Sequence, residues 1–192
     1  MTDPTATDPS LVRIRAATVE DSAAIGELHV AAWRETYRGL MPDRVLDSLS
    51  ASARAEQWRS GLVRGAKGPL VFVVEAADGS LCGFGAAGPS QDSPLGWQAE
   101  IYALYLLRSS QRRGIGTALL RRLWAELQAR NRRKVGLWVL TTNADARAFY
   151  ARLGGAVVDH RIDASAGWDC DETAYFWNDL PEERETQTRV VH

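Results

Sequence analysis

Between Glu100 and Asn131 the chain reads EIYALYLLRSSQRRGIGTALLRRLWAELQARN, and this stretch constrains the fold more than any other. Ile101–Leu107 is an apolar, strand-like run. A polar joint, Arg108–Ser110, leads into the glycine-punctuated segment Gln111-Arg112-Arg113-Gly114-Ile115-Gly116-Thr117. An amphipathic helix follows, because Leu119, Leu120, Leu123, Trp124 and Leu127 recur on one helical face. A strand, a glycine turn and a helix N-terminus make an anion site: the first-turn N–H groups point outward and the macrodipole adds positive charge. The glycines let a ligand come close to the backbone. Arg112 and Arg113 are expected in the first turn, where a cation opposes the dipole by roughly 0.3–1 kcal/mol and a bound phosphate reverses the sign. Two solvated arginines are the plainer reading of the same pattern.

Charge supports a local anion site rather than a global one. The net charge is −1, yet nine basic residues and one acid, Glu126, lie between Arg108 and Lys134. The molecule as a whole has no built-in attraction to nucleic acid or to anionic membrane. The turn around Gly114 also lacks a helix-turn-helix layout, which sets a nucleic-acid role last. Cys82 and Cys170 are far apart, and His29, His160 and His192 are not clustered, so no zinc spacing arises. That cysteine usage suits a reducing compartment. MTDPTATDPS has no basic or apolar region of a signal peptide, and no run reaches the ~20 apolar residues of a membrane span. The expected location is the cytoplasm.

In chain order, residues 1–10 read as a disordered leader, 11–180 as a single domain and 181–192 as a polar C-terminal tail. Leu11–Arg15 alternates as a first strand. Thr18-Val19-Glu20-Asp21 resembles a capping box, and Ile25, Leu28, His29, Ala32, Trp33 and Tyr37 form one helical stripe ending before Gly39 and Pro42. His29 reads as a core or cleft-edge histidine rather than a base. Helical pieces follow at Pro42–Leu49 and Ala51–Val63. Leu70–Ala76 and Leu81–Ala87 form a hairpin through Asp78-Gly79, with Gly83 and Gly85 marking the close approach of another backbone. Lys134–Leu140 is a strand, Asn143 or Thr142 caps a helix ending at Gly154-Gly155, and Ala156–Ile162 pairs antiparallel with Thr173–Trp177. The order predicts an α/β (α+β) fold, a mixed sheet of about seven strands with helices on both faces. The strands joined through the Gln111–Arg130 helix should be parallel neighbours.

The glycine segment is neither a Walker A loop, lacking Gly-Lys-Ser/Thr, nor the dinucleotide fingerprint, lacking a third glycine. ALYLLRSSQRRGIGTALL followed by LWVLTTNADARAFYARLGG, with HVAAWRETYRGLMPDRVLDSL earlier, resembles the GNAT superfamily of acetyl-CoA-dependent N-acetyltransferases. The resemblance spans roughly Val12 to Leu180 and implies a mostly antiparallel GNAT-like sheet. It implies that Gln111, Arg112, Arg113, Gly114, Ile115, Gly116 and Thr117 hold the CoA diphosphate. Leu104 and Leu106 match the strand whose backbone binds the pantetheine arm and polarises the acetyl carbonyl; in the family a bulge splays this strand from the next. Asn143 matches a pantetheine or CoA contact, and Tyr150 a tyrosine near the CoA sulfur that acts as general acid. Many relatives are dimers, so a homodimer is among the implied partners. One departure stands out: where relatives carry a proline in the joint, this chain has Leu107-Arg108-Ser109-Ser110. A looser or differently shaped joint is the expectation.

Acetyl transfer to an amine needs a neutral amine, a stabilised oxyanion and a proton for the thiolate. A lysine-like amine has a pKa of ~10.4, so a base or a water chain must deprotonate it. Backbone N–H of the Glu100–Leu107 run can meet the oxyanion. Tyr150 is the expected acid, against a plain packing role beside Phe149. Glu100 is the expected base, on the face that alternation assigns to Glu100, Tyr102, Leu104 and Leu106; its alternative is a solvated strand-end carboxylate. Glu172, Asp169 and Asp92 are weaker candidates. Trp33, Tyr37, Trp97, Tyr102 and Trp168, each individually at home in a core, can together with Glu35 wall a pocket for a cationic acceptor. The function expected is direct acetyl transfer to a primary amine, small molecule or peptide, of unidentified identity. A CoA-binding module without catalysis is the alternative.

Overall fold

Among the described residues, apolar positions at strand and helix spacing build seven strands and five helices, whose order is that expected from the sequence. The computed structural model describes residues 12–90, 96–164 and 168–181. The leader, Asp92 and most of the C-terminal tail therefore lie outside the described residues. The strands are β1 (Val12–Ala16), β2 (Leu70–Ala76), β3 (Leu81–Gly88), β4 (Ala99–Leu106), β5 (Val135–Leu140), β6 (Ala156–Asp163) and β7 (Cys170–Trp177). They form one seven-stranded, mostly antiparallel sheet of order β1-β2-β3-β4-β5-β7-β6. The helices are α1 (Ser22–Tyr37), α2 (Asp43–Asp47), α3 (Ala51–Leu62), α4 (Ile115–Ala129) and α5 (Ala144–Arg152). The chain falls into two compact units, one running to Ala86 and including Ala103–Leu123, the other comprising Ala87–Tyr102 and Trp124–Glu182.

In the first unit, β1 runs antiparallel to β2 with Val12 opposite Ala76 and Ala16 opposite Phe72. Thr18 starts the turn into α1, its N–H donating to Asp21 Oδ2 at 2.7 Å. The Asp21 carboxylate also takes two guanidinium bonds from Arg15, at 2.7 and 2.8 Å, which lower its pKa. One face of α1 supplies Ile25 and Leu28 to a core with Val71, Val73, Phe84, Ala86 and Ala103. Helix α3 packs Trp58 and Leu62 on the same core. It crosses α1 so closely that a Cβ on Gly26 would lie 2.5 Å from the Ala51 carbonyl oxygen. The start of α4 approaches the sheet equally closely: a Cβ on Gly85 would sit 2.9 Å from Leu123 Cδ1. What presses on Gly85 is thus the side-chain layer of a helix, not another backbone.

In the second unit, β4 and β5 are parallel, as the crossover required, with Ala99 opposite Val135 and Glu100 opposite Gly136. Strand β7 inserts between β5 and β6 and is antiparallel to both. Tyr175 and Trp177 of β7 receive Tyr150 of α5 at ring distances of 5.9 and 6.2 Å, and Trp124 of α4 meets Trp177 at 5.3 Å. Trp177 Nε1–H donates to the Leu153 carbonyl at 2.9 Å, tying the end of α5 to the sheet. On the opposite face Trp97 lies flat against Gly136 and stacks on Phe176. Strand β6 is an edge with Val157, Val158 and Ile162 exposed, and the Asp159 carboxylate accepts the His160 N–H at 2.8 Å.

Candidate active site

The joint after β4 is a short 3-10 turn, Arg108–Ser110, closed by Ser110 N–H donating to the Leu107 carbonyl at 2.8 Å. The chain then turns through Gln111–Gly114 with Arg112 at φ 59° and Gly114 at φ 80°. Only after this does α4 begin, at Ile115, with Ala118 N–H donating to the Gly114 carbonyl at 3.0 Å. The expectation of a helix from Gln111 is corrected here. The left-handed backbone at Arg112 and Gly114 breaks helical geometry, so Arg112 and Arg113 sit on an exposed loop ahead of the helix and not in its first turn. Their charges consequently flank the positive end of α4 without being stacked on it. Ile115, Gly116 and Thr117 are first-turn residues, whose amides precede the helical ladder.

That loop is built, not slack. Gln111 Nε2–H folds back to the Leu106 carbonyl at 3.0 Å, taking one of its two acceptor sites. Leu107 N–H bonds the Cys82 carbonyl at 3.0 Å. The Arg108 N–H donates to Glu35 Oε2 at 2.8 Å, and Arg108 Nη2–H to the Glu35 carbonyl at 2.9 Å. The joint, which has no proline, carries a cross-brace from α1. Sequence reasoning missed this role of Glu35 because its partner lies 73 residues away.

From Ala103 onward strand β4 alternates. Ala103 joins Phe84 and Ala86 in the α1 core, and Tyr105 contacts His29, Tyr37 and Phe84, whereas Leu104 lies against Gly85 and the α4 side chains. Tyr102 covers Gly88, which shares a face with Phe84 and Ala86 along β3. Leu104 and Leu106, which alternation places on one face, meet the alternate glycines Gly85 and Gly83 of β3. Glu100 is half-buried opposite Gly136.

The β5-to-α5 joint behaves differently. Asn143, 8% exposed, is the N-cap of α5, its Oδ1 accepting the Ala146 N–H at 3.2 Å. Of the two candidate caps, Asn143 and Thr142, the structure selects Asn143. Tyr150, also 8% exposed, wedges between Phe149, Tyr175 and Trp177. Glu172 pairs with Arg161 at 2.8 Å, and Arg161 lies over Trp138 at 4.1 Å, so Glu172 serves that pair. Trp97 is core, and Trp33 carries Arg54 over its ring at 5.2 Å. His29 is buried, accepts the Trp58 Nε1–H at Nδ1 at 3.0 Å, and is pushed down to about 3 by burial and by Arg54. It is neutral at physiological pH and belongs to the core.

A strand, a braced turn with left-handed residues and an arginine-flanked helix start form one constellation, and a family model describes it. The Acetyltransferase (GNAT) family matches residues 23–155. The chain belongs to the GNAT acetyltransferase family. Membership makes it an N-acetyltransferase, and acetyl-CoA is the family's co-substrate. It is 32% identical over 170 residues to an uncharacterised N-acetyltransferase, YuaI, of Bacillus subtilis, covering 88% of this chain and 95% of the relative. Solved structures agree in fold. The PaiA N-acetyltransferase of Thermoplasma acidophilum, crystallised with coenzyme A, superposes with a TM-score of 0.66 at 22% identity, over 85% of this chain and 97% of that one. YncA of Salmonella typhimurium, solved with acetyl-CoA, gives 0.64 at 21% identity, over 92% and 98%. Among the described residues no helix of this GNAT chain is long and apolar enough to cross a membrane, and no cluster of metal-ligating side chains occurs.

Proposed function

We propose that this chain transfers the acetyl group of acetyl-CoA directly to a primary amine, with residues 11–180 acting as one catalytic domain. The observation that carries the reading is the loop Gln111–Gly114. Its left-handed Arg112 and Gly114 turn the chain so that the amides of Ile115, Gly116 and Thr117 open α4, with Arg112 and Arg113 exposed alongside. Amides at a helix start and two guanidinium groups suit a diphosphate, through charge-assisted hydrogen bonds and counter-charge. Bound there, acetyl-CoA supplies an activated thioester carbonyl.

The chain's own groups take the remaining roles. Backbone groups of Leu104 and Leu106 orient the pantetheine arm and polarise the carbonyl. Asn143, whose Oδ1 is used as the cap, retains its amide N–H₂ for a CoA contact. Tyr150 gives its phenolic proton to the departing thiolate; its packing among three rings holds the hydroxyl in one orientation. Glu100 removes the proton from the attacking amine. The acceptor is a small-molecule or peptide amine. A reducing cytoplasm suits the two free thiols, Cys82 and Cys170.

The direct test follows free thiol released from acetyl-CoA in the presence of a panel of amines. Saturable release with at least one acceptor is expected. A protein that binds CoA and turns over none of the amines would sink the reading. The same assay run with neutral, acidic and basic acceptors sorts the acceptor class.

A further inference from the structure

We infer that Glu35 is a positioning residue for acetyl transfer, fixing where β4 ends relative to the diphosphate loop. The inference rests on the roles proposed above for β4 and the Gln111–Thr117 loop. Between the last residue of β4, Leu106, and Gln111 lie four residues, of which Arg108–Ser110 form the 3-10 turn. Such a turn without proline keeps every φ adjustable. Its orientation is set by the Arg108 peptide, which is gripped from outside the strand.

Two bonds make the grip. The Glu35 carboxylate accepts the Arg108 N–H at 2.8 Å, a charge-assisted contact. The Arg108 guanidinium reaches back to the Glu35 carbonyl at 2.9 Å. That carbonyl belongs to the last turn of α1, where helical carbonyls lack partners and a cation complements the dipole. Two residues on, the Tyr37 hydroxyl meets the Tyr105 hydroxyl at 3.3 Å, a second tie between the end of α1 and β4. Helix α1 is itself anchored by Ile25 and Leu28 in the core. The carboxylate therefore acts through the backbone of Arg108 and not on a substrate.

Losing the grip lets the turn shift, and a displacement of about 1 Å of a reacting group costs on the order of 100-fold in rate. Diphosphate binding depends on loop amides and arginines and should be less affected. The test compares Glu35→Ala, Glu35→Gln and Arg108→Ala in kcat, KM, CoA affinity and pH–rate profile. Amide exchange of residues 108–111 is measured alongside. For Glu35→Ala we expect kcat to fall about 10- to 100-fold. CoA affinity should stay within about threefold, with an unchanged pH profile and faster exchange at 108–111. Glu35→Gln keeps an acceptor oxygen and should restore most of the rate. Arg108→Ala keeps the backbone N–H and should lose less than about tenfold.

Wild-type kcat and wild-type exchange in Glu35→Ala would overturn the inference. So would a Glu35→Gln variant as impaired as the alanine with an altered pH profile, because the charge would then act on the amine. Exchange is read without turnover. Faster exchange in a protein that transfers acetyl to no amine would therefore sustain the brace while sinking the function proposed for it.

Discussion

The chain enters α4 and α5 by two strand-to-helix joints that solve the same problem in opposite ways. At α5 the helix start is closed: Asn143 is buried and its side-chain oxygen caps the Ala146 amide. At α4 the start is open: a loop with Arg112 and Gly114 at positive φ precedes Ile115, and Gln111 through Gly114 are exposed. A side-chain cap takes up one of the first-turn donors an anion would want. Under the function proposed above, α4 would anchor the cofactor and α5 would carry the chemistry through Tyr150. Polarity at a helix start is therefore a poor guide to ligand binding unless one asks which groups the chain already satisfies.

The largest effect should come from the closed side. Tyr150→Phe is expected to lower kcat by about 10²-fold or more, the usual range for a lost general acid, while CoA affinity stays near wild type. Steady-state rates beside calorimetric CoA titration read both; equal loss in the two would place Tyr150 in anchoring and break the division. On the open side, Gly114→Val forces a β-branched residue to φ 80° and should weaken CoA binding at least about tenfold while leaving the fold intact by circular dichroism. Unchanged affinity would remove the loop from the diphosphate site.

Acid probes the unit that holds the start of α4. His29 lies in the unit holding the start of α4 and is pushed down to about 3, against an ordinary value of 6.5. The unfolded chain takes up that proton first, so its contribution is intact above about pH 6.5 and lost as pH falls toward 3. The slope should approach about 1.4 kcal/mol per pH unit in that window. Urea unfolding at pH 7, 5.5 and 4.5 measures it, and His29→Phe should flatten the curve. Smallest of all, Asn143→Ala should cost about 1 kcal/mol of stability through the lost cap. A thermal shift near zero would mean that the cap is not what closes α5.

Much of this was legible in the sequence. The stripe Leu119, Leu120, Leu123, Trp124 and Leu127 is buried as its spacing requires, and a helix linking β4 to β5 made those strands parallel. Asn143 was readable as a cap because capping is local. The loop geometry was not readable: nothing in Gln-Arg-Arg-Gly says that Arg112 adopts a left-handed conformation. Glu172 and Glu35 are both plain carboxylates in sequence; their partners Arg161 and Arg108 arrive only with folding.

The sequence by itself determined the elements, their order and the family, because periodicity, glycines and caps act over one or two turns of chain. Tertiary structure decided which residues of α1, β2 and β3 share a core with Ala103 and what holds the joint in place of a proline. Those are contacts between residues tens of positions apart, and no local pattern encodes them.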